Sequence, residues 1–364
     1  MKSPLKNLMF SLLALSLQSV TGYAASRPGK TFEVFQFPQD QIPRIDGNFD
    51  DWDIVPESFA IGLDELSDTV RGKGTDLDPA DFNLSVKVAW VKGLNRLYFL
   101  YEAYDDYWDF KRPGLTNDIF EVVVDGDLSG GPFIKTENEN LNLLPKSDLH
   151  FKGHGTHAQN YHVFTPAHKK DWAMIWGNAP WIKDFPHANA AYDYSFKHGE
   201  SGTLRLEFYI TVYDHADPRG PALSTQSQFE ENDLIGLSWC ILEYDNEEDR
   251  FHSFMNLAHD TEMIRNASRL CAFRLAPLEA RFRAPLEANW SFSNLQNDKR
   301  LIAFQDQSYG DVRSWHWDFG DGSTSTEQHP IHRYASPGEW VVTLSIKGPE
   351  GRDRHSKVWD VVTP

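Results

Sequence analysis

The residues best suited to chemistry in this chain are the oxygens of Asp125-Gly126-Asp127-Leu128-Ser129-Gly130. Hard oxygen donors alternate with spacers, and a glycine follows where the backbone must bend sharply. This is the spacing of the first half of a calcium loop. The helix-loop-helix version needs a Glu at its twelfth position. That position is Thr136, with Glu137 one residue late, so an EF-hand is disfavoured. Two readings stay open for Asp125, Asp127 and Ser129: a calcium loop closing a β-hairpin, or a solvated turn whose side chains bond their own backbone.

A second chemistry is sugar stacking. A pyranose face presents C–H groups that pack on an aromatic plane, while carboxylates and amides bond the hydroxyls. Two stretches supply such sets. Tyr107, Trp108 and Phe110 stand with Asp105, Asp106 and Asp109, and Trp172, Trp176 and Trp181 stand with Asn178, Asp171 and Asp184. The competing reading for each ring is burial, since large aromatics mostly pack inside.

The histidines His154, His157, His162 and His168 raise a third chemistry, a transition-metal site. Their spacing matches no tight zinc pattern, and surface or core histidines are the alternative. Haem attachment would need a motif such as Cys-x-x-Cys-His, which is absent. No nucleophile elbow, phosphate loop or metalloprotease signature occurs. The chain reads as a non-enzyme.

Strands must position these groups. In the run 118–125, period-two alternation puts Phe120, Val122 and Val124 on one face. Ile119, Glu121, Val123 and Asp125 lie on the other. Runs at 31–36, 84–91, 97–103, 159–164, 204–210, 234–242 and 270–275 also read as strands, the second and third as a hairpin around Lys92-Gly93-Leu94-Asn95. The rest of 132–200 is irregular, rich in His and Trp, and predicts a functional or mobile insertion. The repeat Ala276-Pro-Leu-Glu-Ala280 and Ala284-Pro-Leu-Glu-Ala288 marks a linker. It divides a first domain, 30–280, from a second, 281–364. In the second, short strands at 301–304, 314–319, 340–346 and 357–362 follow the rhythm of a small sandwich.

Charge narrows the partners. The 364 residues carry a formal charge of −18, which argues against nucleic acid and favours neutral partners or cations. Residues 1–25 read as a signal peptide: Lys2 and Lys6, an apolar middle from Leu8 to Leu17, and the exit Tyr23-Ala24-Ala25. The expected location is secreted or periplasmic, with no membrane span. Two cysteines, Cys240 and Cys271, form one disulfide or remain as two half-buried thiols.

The first domain resembles family 9 carbohydrate-binding modules. The carrying residues are Ile45-Asp46-Gly47 with Trp52, Val86 to Trp90 with Leu97-Tyr98, and Asp118 to Glu121 with Asp125. Gln159-Asn160-Tyr161, Leu206-Glu207 before Ile210, and Ile235-Gly236-Leu237 leading to Tyr244-Asp245 complete the set. The resemblance implies a β-sandwich with structural calcium and, in sugar-binding members, a two-tryptophan clamp. The clamp positions hold Gly114-Leu115-Thr116 and Met263-Ile264-Arg265 instead. The second domain resembles polycystic kidney disease (PKD) domains through Trp315-His316-Trp317-Asp318-Phe319-Gly320-Asp321-Gly322, Pro330 to Tyr334 and Pro337 to Leu344. That implies an immunoglobulin-like sandwich used as a spacer or adhesive module.

The expectation is therefore an all-β chain of two β-sandwich domains. It would bind a neutral polysaccharide or oligosaccharide without catalysis, linked to polysaccharide capture or degradation, with calcium as a structural ion. The alternative is a structural or adhesive protein that uses both sandwiches for protein contacts. A metal or haem carrier is the third reading.

Overall fold

The structure, a computed structural model, describes residues 26–133, 154, 156–246, 248–295, 300–336 and 338–361, with side chains of the last strand described as far as Lys357. The expected signal peptide, Thr136, Glu137 and His150 lie outside the described residues. The chain forms two compact units, Met1–Ala276 and Pro277–Pro364. Both are all-β: the helical pieces among the described residues are short 3-10 turns, and no helix is long and apolar enough to cross a membrane.

Eleven of the strands among the described residues carry the two main sheets of the first unit. They are β1 (Thr31–Phe37), β2 (Phe82–Val91), β3 (Arg96–Asp105), β4 (Ile119–Asp125), β5 (Gln159–Phe164), β6 (Ala173–Trp176), β7 (Ala188–Asp193), β8 (Gly202–Thr211), β9 (Leu234–Glu243), β10 (Ser253–Asn256) and β11 (Cys271–Leu275). One sheet runs β6-β5-β4-β9-β11-β1 and the other β1-β2-β3-β8-β7. Strand β1 belongs to both. Thr31 to Val34 pair in parallel with Ala272 to Leu275 of β11, and Phe35 to Phe37 pair in parallel with Ala89 to Val91 of β2. Trp90 fixes the crossing: its indole donates to the Ala276 carbonyl (3.1 Å), and the Ala276 N–H donates to Val34 (2.9 Å).

The faces expected for β4 hold. Phe120 points inward and stacks on Tyr101 of β3 at 4.6 Å, while Phe99 and Phe208 stack at 4.6 Å behind them. Each such sealed ring contributes about 1.5–3 kcal/mol relative to exposure. The outer face of β4 is covered as well, and all seven of its residues are buried. Glu121 survives there because Asn160 Nδ2 donates to it over 2.6 Å, Cys240 Sγ lies at 3.2 Å and His162 Nε2 at 3.4 Å. Cys240 and Cys271 are both buried thiols, with no disulfide between them.

The insertion is more regular than its composition suggests. Besides β5 it supplies the edge strands β6 and β7, one on each sheet. Both are hard to read in sequence: β6 has only four residues, and Ala188 to Ala191 of β7 lack large apolar side chains.

The second unit contains β12 (Trp290–Asn294), β13 (Leu301–Asp306), β14 (Ser314–Asp318), β15 (Ile331–Arg333), β16 (Gly338–Gly348) and β17 (Gly351–Val361). A sheet β12-β13-β15 accompanies a second sheet in which β14 pairs with β16 and β16 with β17. Trp317 is sealed among Trp290 (5.6 Å) and Phe304 (5.5 Å), with its indole donating to Glu327. Gly320 has φ +81°, and a Cβ there would lie 2.6 Å from the Val341 carbonyl oxygen, so the motif requires glycine. Asp318 and Asp321 accept from the backbone N–H groups of Gly320 and Ser323, both at 2.9 Å.

Candidate functional site

Several strands of the first unit end at one rim, and each end is acidic. Asp81 precedes β2, Asp105 ends β3 with Asp106 next, Asp118 precedes β4, and Glu243 ends β9 with Asp245 two residues on. One oxygen each from Asp81, Asp106 and Asp245 lies within 4.8 Å of the others, and Glu243, Asp245 and His252 converge equally closely. Asp105 and Glu243 are 1% and 2% exposed. Asp105 Oδ2, both carboxyl oxygens of Glu243 and Asp245 Oδ1 are buried with no hydrogen-bond partner. Asp118 differs in that its oxygens accept from the backbone N–H groups of Tyr244 (2.8 Å) and Asp109 (2.5 Å).

Such a cluster resists ionisation. Burial, then the charges of Asp245, Asp105 and Asp81, pushes Glu243 up to about 9. Burial leads again for Asp105, which rises to about 8 with Asp245, Asp106 and Asp81 adding repulsion. Lys73 reaches the group from one side, with Nζ 3.7 Å from Asp81 and donating to Ser253. An orphaned buried carboxylate costs several kcal/mol unless a cation meets it.

Calcium fits these donors. It takes hard oxygens at about 2.3–2.6 Å, which places ligand oxygens up to about 5 Å apart. Asp81, Asp106 and Asp245 satisfy that spacing with oxygen alone. Calcium would neutralise the carboxylates and tie the paired ends of β2 and β3 to the chain leaving β9.

The residues expected to bind sugar scatter instead. Trp108 is fully buried, stacked on Phe196 at 5.0 Å with its indole donating to the Gly202 carbonyl. It presents no face to a ligand, which corrects that assignment: a ring flanked by acidic residues in sequence folded inward to cap the core. Tyr107 is half-buried over Gly199, its ring 6.2 Å from that of His198. Trp172 packs between Tyr161 (6.4 Å) and Phe208 (5.8 Å) and donates to the Lys183 carbonyl. Trp176 faces His162 at 4.8 Å. Trp181 stands edge-on to Tyr213 at 5.3 Å and donates to the Asp217 carbonyl. These rings and Asn178 are half-buried, each indole set against a different neighbour. The ring that sequence reasoning missed is Phe185, 80% exposed four residues after Trp181. Its position is fixed by its neighbour: the Pro186 carbonyl accepts from Arg96 and from the Tyr209 hydroxyl, both at 3.1 Å. Arg96 begins β3 and Asp105 ends it, so Phe185 and the acidic rim lie at opposite ends of one strand, about 30 Å apart.

The turn of Asp125, Asp127 and Ser129 forms as expected at the end of β4. Gly130 N donates to Asp125 (2.8 Å) and Ser129 N to Asp127 (3.0 Å). Burial, with the hydrogen bond to Asp127 next, raises Asp125 to about 7. Its oxygens are thus partly spent on the turn, unlike those of Glu243. The histidines do not gather. His154 meets the carbonyls of Trp176 and Ile264, both at 3.1 Å, and His162 faces Glu121.

The motif pieces scattered in sequence do meet. Glu207, fully buried, accepts from Asp46 N (2.9 Å), Gly47 N (2.8 Å) and the Trp52 indole (3.3 Å). Gln159 exchanges hydrogen bonds with the Tyr213 backbone.

Residues 286–363 match the family described as PKD domain. A microbial collagenase of Vibrio alginolyticus is 55% identical over 42 residues, 12% of this chain and 5% of the relative. The Vibrio cholerae pre-pro-metalloprotease PrtV is 41% identical over 58 residues, 16% of this chain and 6% of the relative. The chain thus spans only about 5% of the length of these curated relatives. Among solved structures, a family 9 carbohydrate-binding module from Caldicellulosiruptor kristjanssonii in complex with cellotriose covers 70% of this chain and 98% of its own, at 16% identity and a TM-score of 0.44. The PKD1 domain of the Vibrio cholerae metalloprotease PrtV covers 22% of this chain and all of its own, at 28% identity and a TM-score of 0.20.

Proposed function

We propose that the chain is an exported, non-catalytic carbohydrate-binding protein whose first sandwich is braced by calcium. One observation carries the brace: the oxygens of Asp81, Asp106 and Asp245 converge at a rim where neighbouring buried carboxyls have no partner. The buried, unpartnered carboxyls beside Asp245 suit a structural ion. The Asp125-Asp127-Ser129 turn is the lesser calcium site, since its own N–H groups already occupy those oxygens.

Support for a neutral glycan comes from the 172–187 segment. Trp172 and Trp181 are anchored through their indole N–H groups, and Phe185 projects beyond them into solvent. An exposed ring held by a fixed backbone is a sugar platform of low entropic cost. Asn178 and Asp184 stand in the same segment as donors and acceptors for hydroxyls. The second unit serves as spacer or adhesive, and the whole acts in polysaccharide capture or degradation. The burial of Trp108 and the missing clamp residues favour the other reading, in which both sandwiches make protein contacts. A glycan-array screen of the full mature chain, with and without calcium, separates the two. Binding to a neutral glycan that Phe185→Ala abolishes supports the first reading, and a blank array supports the second.

A further inference from the structure

The rim contains more than one donor set. Glu243 and Asp245 are two residues apart at the end of β9, where an extended chain points both side chains to the same side. His252 immediately precedes β10, and its backbone N–H donates to the Glu243 carbonyl over 2.7 Å. The β9–β10 ladder, with Glu243 opposite Ser253, therefore fixes all three residues relative to one another. His252 Nδ1 lies 2.5 Å from Asp245 Oδ2, and its Nε2 lies 3.7 Å from Glu248. Both oxygens of Glu243 are buried and unpartnered, and one of them lies within 4.8 Å of the Asp245 and His252 ligand atoms.

We propose that Glu243, Asp245 and His252 form a second cation site, for zinc or a closely related transition metal, sharing Asp245 with the oxygen-only calcium set. The inference rests on the calcium reading only in that shared carboxylate. The chemistry of the two sets differs. Asp81, Asp106 and Asp245 offer oxygen alone, which suits calcium. An imidazole nitrogen with two carboxylates suits zinc, which binds both donor types at about 2.0–2.2 Å and commonly leaves a fourth position to water. Tetrahedral geometry at those lengths needs donors about 3.3–3.5 Å apart, so His252 and Asp245 must separate slightly to admit the ion. The partly exposed His252 ring gives it a route in. Glu243 gains the partner it lacks, and a bridging Asp245 lets each cation offset the repulsion around the other.

The test is zinc uptake by the full chain, stripped of metal with a chelator and titrated against a zinc indicator, beside the same titration of His252→Ala and Glu243→Gln. Calcium-induced thermal shifts are recorded on all three. The expected result is one zinc site weakened at least tenfold in both variants, with the calcium shift of His252→Ala unchanged. A chain that takes up no zinc, or a His252→Ala variant that binds it as tightly as the parent, overturns the proposal. Zinc uptake sensitive to His252 without any calcium shift supports this site and removes the oxygen-only one.

Discussion

The Nδ1 of His252 lies 2.5 Å from Oδ2 of Asp245, while the other oxygen of that carboxylate is buried without a hydrogen bond. Asp245 thus joins an imidazole on one side to Asp81 and Asp106 on the other. It stands where the loops from both sheets meet, and the stability of that end of the sandwich depends on what neutralises it.

Glu207 is the other carboxylate on which the first unit depends, and it is fully served. Glu207→Ala leaves the N–H groups of Asp46 and Gly47 and the Trp52 indole without an acceptor. The expected loss is about 2–4 kcal/mol, read as a lower urea midpoint of the first unit. Trp52→Phe, which removes one donor and part of the packing against Phe37, is expected to cost less.

Trp108 and Phe185 separate packing from recognition. Trp108→Ala opens a cavity beside Phe196 and is expected to cost about 3–5 kcal/mol, measured by chemical denaturation. Phe185→Ala, on a ring 80% exposed, is expected to shift stability by less than about 0.5 kcal/mol while abolishing retention on the ligand glycan in affinity electrophoresis. Unchanged retention excludes Phe185 as the platform.

In the second unit Asp321 titrates below the usual carboxylate range. Burial opposes this, but hydrogen bonds from the Ser323 backbone and His332 outweigh it. His332 Nε2 lies 2.7 Å from Asp321, and its ring stacks on Phe319 at 4.2 Å. A carboxylate depressed in the folded state contributes stability above its unfolded value of about 3.9. That contribution is lost as pH falls through the folded value. Hydrogen-exchange protection of the segment 314–346 in the full chain, corrected for the intrinsic rate, is therefore expected to fall below about pH 4. Asp321→Asn is expected to show faster exchange already at pH 6 and a flatter acid profile.

Much of this architecture was legible in the sequence because it is local. The runs of β2, β3, β4, β8 and β9 were recognisable as strands, alternation separated the two faces of β4, and Gly320 marked a turn that only glycine fits. Strand β6 was invisible because four residues carry too little periodicity, and β7 because Ala188 to Ala191 lack large apolar side chains. The rim was present in fragments: the acidic residues after β3, before β4 and after β9 were each noticeable. Nothing local says that Asp106 and Asp245, on strands of different sheets, meet in space. For Trp108 the aromatic-acidic composition was misleading, because composition does not report which way a ring turns at the end of a strand.

The most direct measurement is the thermal unfolding of the first unit within the full chain, in calcium and in chelator, for the parent and for Asp106→Asn. A cation present at a hundredfold excess over its Kd adds about 2.7 kcal/mol, or roughly 5–10 °C for a unit of this size. The parent is expected to rise by that amount in calcium. Asp106→Asn is expected to lose the response while matching or exceeding the parent in chelator, because one like charge has gone. A parent that melts at the same temperature with and without calcium would contradict the oxygen-only set of Asp81, Asp106 and Asp245 as a calcium site.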